Sequence, residues 1–127
     1  MRTNRIAVFA AIFLVSGSLA VFGHAKMTAS IPKDGETVPA ELSEIQLTFS
    51  KPLRLTLFHV RSAKDQRDMP IESALPKSYA KSARVTFDVL PAGPYEVSWT
   101  AVSADGHVMK GRFVFSVGEA RNAQPAQ

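Results

Sequence analysis

The residues of this chain best suited to chemistry are its three histidines, His24, His59 and His107. One of them stands two positions after a carboxylate, in Asp105-Gly106-His107. In an extended segment, side chains two apart project to the same side, so this carboxylate and imidazole could share a metal ion. The same letters also read as an Asp-Gly hairpin turn followed by a surface histidine. His24 offers something different. If proteolysis makes it the first residue, its free α-amine and its ring Nδ1 can close a chelate on one ion. Adding His107 gives three nitrogens, and Asp105 adds an oxygen. Three nitrogens and one oxygen in a tetragonal arrangement suit Cu(II), which heads the divalent affinity order. Without such a cut, His24 merely lies at a junction.

Other chemistry is thinly represented. There is no cysteine, hence no disulfide and no thiolate site. Met27, Met69 and Met109 are scattered, whereas soft Cu(I) sites need several converging sulfurs; Met109 reads as core or rim packing. His59 shares parity with Leu55 and Leu57, which suggests a core or boundary histidine. The chain lacks Gly-x-Ser-x-Gly, His-Glu-x-x-His and phosphate-loop patterns. Lys64 to Asp68 reads as a solvated, mixed-charge hairpin tip.

The start of the chain looks like an export signal. Arg2 and Arg5 precede the apolar run Ile6 to Val15, and small residues follow. The run is shorter than the roughly 20 residues a spanning helix needs, although an uncleaved anchor from Ile6 to Phe22 is the alternative. The pattern permits cutting after Ala20, Gly23 or Ala25, and leans slightly toward Ala20. Cutting after Gly23 leaves 104 of the 127 residues and lowers the formal charge from +4 to +2. No basic cluster remains to suggest nucleic acid.

These groups must be positioned by strands. Glu44 to Ser50 alternates, with Ile45, Leu47 and Phe49 on one face. Arg54 to Arg61 alternates less strictly. Val85, Phe87 and Val89 share a face, as do Tyr95, Val97, Trp99 and Ala101, and again Phe113, Phe115 and Val117. Turn signals separate the runs at Lys33-Asp34-Gly35, Ser50-Lys51-Pro52, Pro91-Ala92-Gly93-Pro94 and Asp105-Gly106. Glu72 to Lys81, broken by Pro76, reads as loop, and the polar tail Glu119 to Gln127 as disordered. The expectation is an all-β domain over 24–118, a two-sheet sandwich or small barrel, with Trp99 in its core.

In this order of segments the chain resembles the CopC family of bacterial periplasmic copper-binding proteins, including the YobA type. The likeness runs through His24-Ala25, Ser30-Ile31-Pro32-Lys33-Asp34-Gly35, Leu47-Thr48-Phe49-Ser50, Leu90 to Tyr95, Val97 to His107 and Gly111 to Phe115. The resemblance implies a seven-stranded Greek-key sandwich, cupredoxin-like or immunoglobulin-like. It also implies a site for one Cu(II) ion at His24, Asp105 and His107, and it favours cleavage after Gly23, which makes 1–23 the signal. The implied role is a periplasmic copper carrier or buffer in resistance, homeostasis or transport, passing copper to an inner-membrane, CopD-like permease. Two departures stand out. Val60 to Ala74, where some members carry a Met-rich Cu(I) loop, holds only Met69, so no second site is expected. Lys51 replaces a glutamate that some members have, and is expected to point outward.

Two other functions compete with a non-enzymatic carrier. One is a metal-free, immunoglobulin-like interaction module. The other is a copper-dependent oxidase or monooxygenase, which shares the amine–imidazole chelate but needs an exposed substrate surface; Trp99 and Tyr95 have core parity instead. The mass of the exported protein tests the common premise. A species beginning at His24, lacking 23 residues, is expected, and any other first residue removes the chelate.

Overall fold

The computed structural model describes residues 25–119. The expected signal 1–23, His24 and the tail beyond Glu119 lie outside the described residues. Seven strands form: β1 Met27–Ile31, β2 Glu36–Val38, β3 Glu44–Ser62, β4 Asp68–Met69, β5 Ala80–Thr86, β6 Gly93–Ser103 and β7 Val108–Val117. They join one curled sheet in the order β1-β3-β6-β7-β2, with β4 and β5 also pairing β3. All pairings are antiparallel except β2 with β7.

The sequence suggests a turn at Ser50-Lys51-Pro52, yet β3 runs through it as a single strand of 19 residues. The strand changes partners there instead. Its first half pairs β1 as far as Phe49 and β5 as far as Thr48, with one further β5 partner, Ala80, opposite Leu53, and its second half pairs β6 from Leu53 onward. Pro52, which has no N–H to donate, falls in the interval where those ladders break off. A second irregularity follows. The register with β6 shifts between Leu55 and Leu57, which reverses the parity of the strand. Leu55 is buried, whereas Leu57 is 53% exposed. Phe58 and Val60 then face the core, and His59 faces solvent. The shared parity of Leu55, Leu57 and His59 was therefore misleading, and His59 is not a core residue.

The remaining alternations are mostly kept. Ile45, Leu47 and Phe49 on β3 are buried, as are Tyr95, Val97, Trp99 and Ala101 on β6 and Phe113, Phe115 and Val117 on β7. On β5, Val85 is buried, and Phe87 continues inward just past the strand end. Val89 is 58% exposed because Leu90 takes the inward position, its N–H donating to the Leu42 carbonyl at 3.3 Å. The Phe49 and Trp99 rings meet at 5.3 Å and an interplanar angle of 60°, an edge-tilted contact between aromatic π-systems. Nearer the other end, Tyr95 stacks on Phe115 at 5.5 Å and donates its hydroxyl to the Pro91 carbonyl at 2.6 Å.

Lys33-Asp34-Gly35 links β1 to β2 and clamps β7. Asp34 Oδ1 accepts the Val114 N–H at 3.0 Å, and the Gly35 N–H donates to the Val114 carbonyl at 2.8 Å. Gly35 has φ +80°, the left-handed region glycine adopts without strain. Beyond this clamp β2 covers only Phe115–Val117. Among the described residues, the outer edge of β7 from Val108 to Phe113 carries no second strand.

Gly111 lies opposite Trp99 in the β6–β7 ladder. A Cβ there would come within 2.4 Å of the indole ring, so the glycine makes room for the tryptophan. Gly111→Ala is expected to overpack this contact and destabilise by about 1–3 kcal/mol. At about 4–8 °C per kcal/mol for a domain of this size, thermal unfolding followed by circular dichroism should show a clear drop. An unchanged midpoint would mean the indole is not wedged there.

Candidate metal centre

The turn between β6 and β7 carries two of the sequence-predicted residues. Asp105 and His107 do meet, but not as neighbours on an extended strand. The chain turns through Ala104 and Asp105, and Gly106 takes φ +88°. The Gly106 N–H donates to the Ser103 carbonyl at 3.0 Å, and the Ser103 N–H to the His107 carbonyl at 2.9 Å. Within this loop Asp105 Oδ2 lies 2.8 Å from His107 Nδ1. Both side chains are 66% exposed.

Ser103, to which the sequence reading gave no role, completes the arrangement. Its hydroxyl is hydrogen-bonded to Asp105 Oδ1, and its Oγ accepts the His107 N–H at 3.1 Å. The signal was visible as a hydroxyl residue two before an aspartate in a turn, the pattern of side chains that bond to nearby backbone. The Ser103 hydrogen bond and then that of His107 hold the Asp105 carboxyl down at about 2. The carboxylate is therefore charged at neutral pH and is the acceptor, so Nδ1 of His107 carries the proton between them.

The first described residues are anchored beside this turn. Ala25 is buried and belongs to the core cluster. The Lys26 N–H donates to Ser50 Oγ at 3.0 Å, and the Ser50 N–H donates to the Lys26 carbonyl at 2.8 Å. Three residues further along β3, Leu53 stands opposite Ser103. At about 3.3 Å per residue, Lys26 and the Asp105–His107 turn are served by roughly 10 Å of the same strand.

The other residues weighed from sequence fall elsewhere. His59 stands opposite Ser98, five residues from Ser103 and roughly 16 Å along the strand, so it does not join His107. Met27, Met69 and Met109 are half-buried against the core. Lys51 is exposed, as expected. The Lys64–Asp68 tip is solvated, with Arg67–Asp65 at 2.9 Å and Arg61–Asp68 at 3.0 Å. Among the described residues no group of three or more His, Cys, Asp or Glu side chains could hold a metal. A metal at Asp105 and His107 therefore needs a donor from outside them. No helix among them is long and apolar enough to cross a membrane.

A depressed carboxyl pKa favours the folded state above the ordinary carboxyl range, and that contribution fades as pH falls toward the folded value. Asp105 should thus remain mostly ionised at about pH 3, where an ordinary aspartate near 3.9 is mostly protonated. Carboxyl-carbon NMR should place its midpoint near 2, and Ser103→Ala should move it upward. A wild-type midpoint near 4 would contradict the hydrogen-bonded turn.

Comparison with known proteins agrees with this architecture. The family profile described as CopC domain matches residues 27–118. The chain is 32% identical over 117 residues to copper resistance protein C of Escherichia coli, covering 82% of this chain and 90% of that protein. It is 25% identical over 124 residues to copper transport protein CutJ of Bacillus subtilis (strain 168), covering 94% of this chain but only 23% of that longer protein. The crystal structure of PcoC, a methionine-rich copper resistance protein from Escherichia coli, superposes with a TM-score of 0.61 at 30% identity, covering 75% of this chain and 99% of that one. The shared fold is the Greek-key β-sandwich. With its family domain spanning most of its length, the chain belongs to the CopC family.

Proposed function

We propose that this protein binds one Cu(II) ion as cargo, through the α-amine and Nδ1 of a processed His24 and the ring of His107, with the carboxylate of Asp105 completing or tuning the set. One observation carries the reading. The chain segment that follows His24 is pinned at Ser50, close along β3 to the turn that holds a charged carboxylate against an imidazole. A tetragonal set built on three nitrogens suits Cu(II). Copper resistance and copper transport proteins among the relatives support copper as the cargo.

The protein acts as an exported, periplasmic carrier or buffer rather than an enzyme. Its ligands lie on an exposed turn, where a partner can reach the ion. Trp99 and Tyr95, aromatic groups of the kind a substrate surface needs, are buried. In CutJ, a stretch similar to nearly all of this chain forms less than a quarter of a longer copper transport protein. That supports a domain working in series with a transport partner, such as an inner-membrane, CopD-like permease.

Titration of the protein beginning at His24 with Cu(II), read by visible absorption and electron paramagnetic resonance, tests this. One ion should bind. His107→Ala should weaken binding severely, and so should one extra residue before His24, which destroys the amine–imidazole chelate. Affinity should fall as pH drops from about 8 to 5, because the nitrogen donors must shed protons, with ordinary values of about 7.7–8.0 for an α-amine and 6.5 for an imidazole. Asp105 stays charged throughout that range. Wild-type binding by both variants would leave a metal-free interaction module as the better reading.

A further inference from the structure

We infer that Ser103 is a positioning residue for the metal pair: its hydroxyl holds the Asp105 carboxylate against Nδ1 of His107, so that Nε2 is the ring nitrogen given to the ion. The inference rests on the copper reading of His107 and goes beyond it, because Ser103 itself touches no metal.

Ser103 is the last residue of β6 and is fixed by the sheet. It stands opposite Leu53 on β3, and its N–H closes the turn onto the His107 carbonyl at 2.9 Å. Asp105 and His107, by contrast, project from the turn into solvent. An exposed carboxylate there would sample several rotamers, and ordering it has an entropic cost. The serine hydroxyl has one proton and two lone pairs. Its proton goes to the carboxylate oxygen Asp105 Oδ1, in preference to the more distant His107 carbonyl at 3.4 Å. A lone pair accepts the His107 N–H at 3.1 Å. One hydroxyl thus ties together the carboxylate and the backbone of the histidine.

The consequence passes through the carboxylate. With Oδ1 held by Ser103, Oδ2 faces Nδ1 at 2.8 Å. A neutral imidazole bonded to a carboxylate through Nδ1 keeps its proton there and has its lone pair on Nε2. Carboxylates placed behind metal-binding histidines fix tautomer and ring orientation in this way, and losing such a support typically weakens metal binding 10–100-fold. An ion on Nε2 lies across the ring from Oδ2, so Asp105 in this pose tunes His107 from behind rather than ligating the same ion.

The test uses the protein beginning at His24, with Cu(II) affinity measured by competition against a chelator. Ser103→Ala should bind about 10–100-fold more weakly, and Ser103→Thr, which keeps the hydroxyl, should recover most of the loss. Nitrogen-15 NMR of the metal-free protein should show the His107 proton on Nδ1 in the wild type and a mixed tautomer in Ser103→Ala, with the melting temperature little changed. Wild-type affinity in Ser103→Ala beside weakened binding in His107→Ala would overturn the positioning role and leave the copper reading intact. A loss that threonine fails to rescue, matched by a lower melting temperature, would assign Ser103 a merely structural role and also overturn it. Wild-type binding by His107→Ala would end both.

Discussion

One strand must serve both halves of this sandwich. β3 pairs β1 and β5 over its first half and β6 over its second, and every distance relevant to the site is referred to it. The segment after His24 is hydrogen-bonded to Ser50, just before the change of partners, and the β6–β7 turn is set by Leu53, just after it. If the chain folded back at Pro52, those two groups would belong to separate strands with no common reference. Continuity through residues 50–52 refers the segment that begins at Ala25 and the β6–β7 turn to one strand.

The core supports this arrangement from beneath. Phe49 at the end of the first half packs on Trp99 from β6, and Trp99 in turn occupies the space left by Gly111. The contact ties the first half of β3 to β6 close to the change of partners. In a chain without cysteine, no covalent crosslink shares the task, and buried aromatic area must supply it.

How far the sequence could be read depended on whether alternation was interrupted. Val97, Trp99, Phe113 and Phe115 follow period two without a break, and their inward direction was legible. At Leu55–Leu57 one extra residue inverted the pattern, and His59 was read on the wrong face. Nothing in the local composition marks that bulge; it arises from fitting β3 to β6. Pro52 was legible as an interruption but not as its kind, because a proline between two ladders resembles one in a turn. β2 and β4, with three and two residues, are too short to show any period. At the site, the spacing of Asp105 and His107 suggested that the two side chains meet, and they do, but through a turn rather than along a strand. Ser103 was overlooked because its contribution depends on the turn closing. His24 lies outside the described residues, and its part continues to rest on the family resemblance and on chemistry.

The outer edge of β7, unpaired from Val108 to Phe113 among the described residues, has a consequence for how copies of the molecule meet. A second β7 docking antiparallel on this edge, centred on Gly111, would set Lys110 opposite Arg112 twice over. Like charges directly across a ladder repel, and cationic edges are one of the ways native sheets discourage strand-to-strand growth. The glycine that admits the tryptophan would otherwise leave a flat, easily templated stretch. Its two flanking cations weigh against a second copy pairing on this edge.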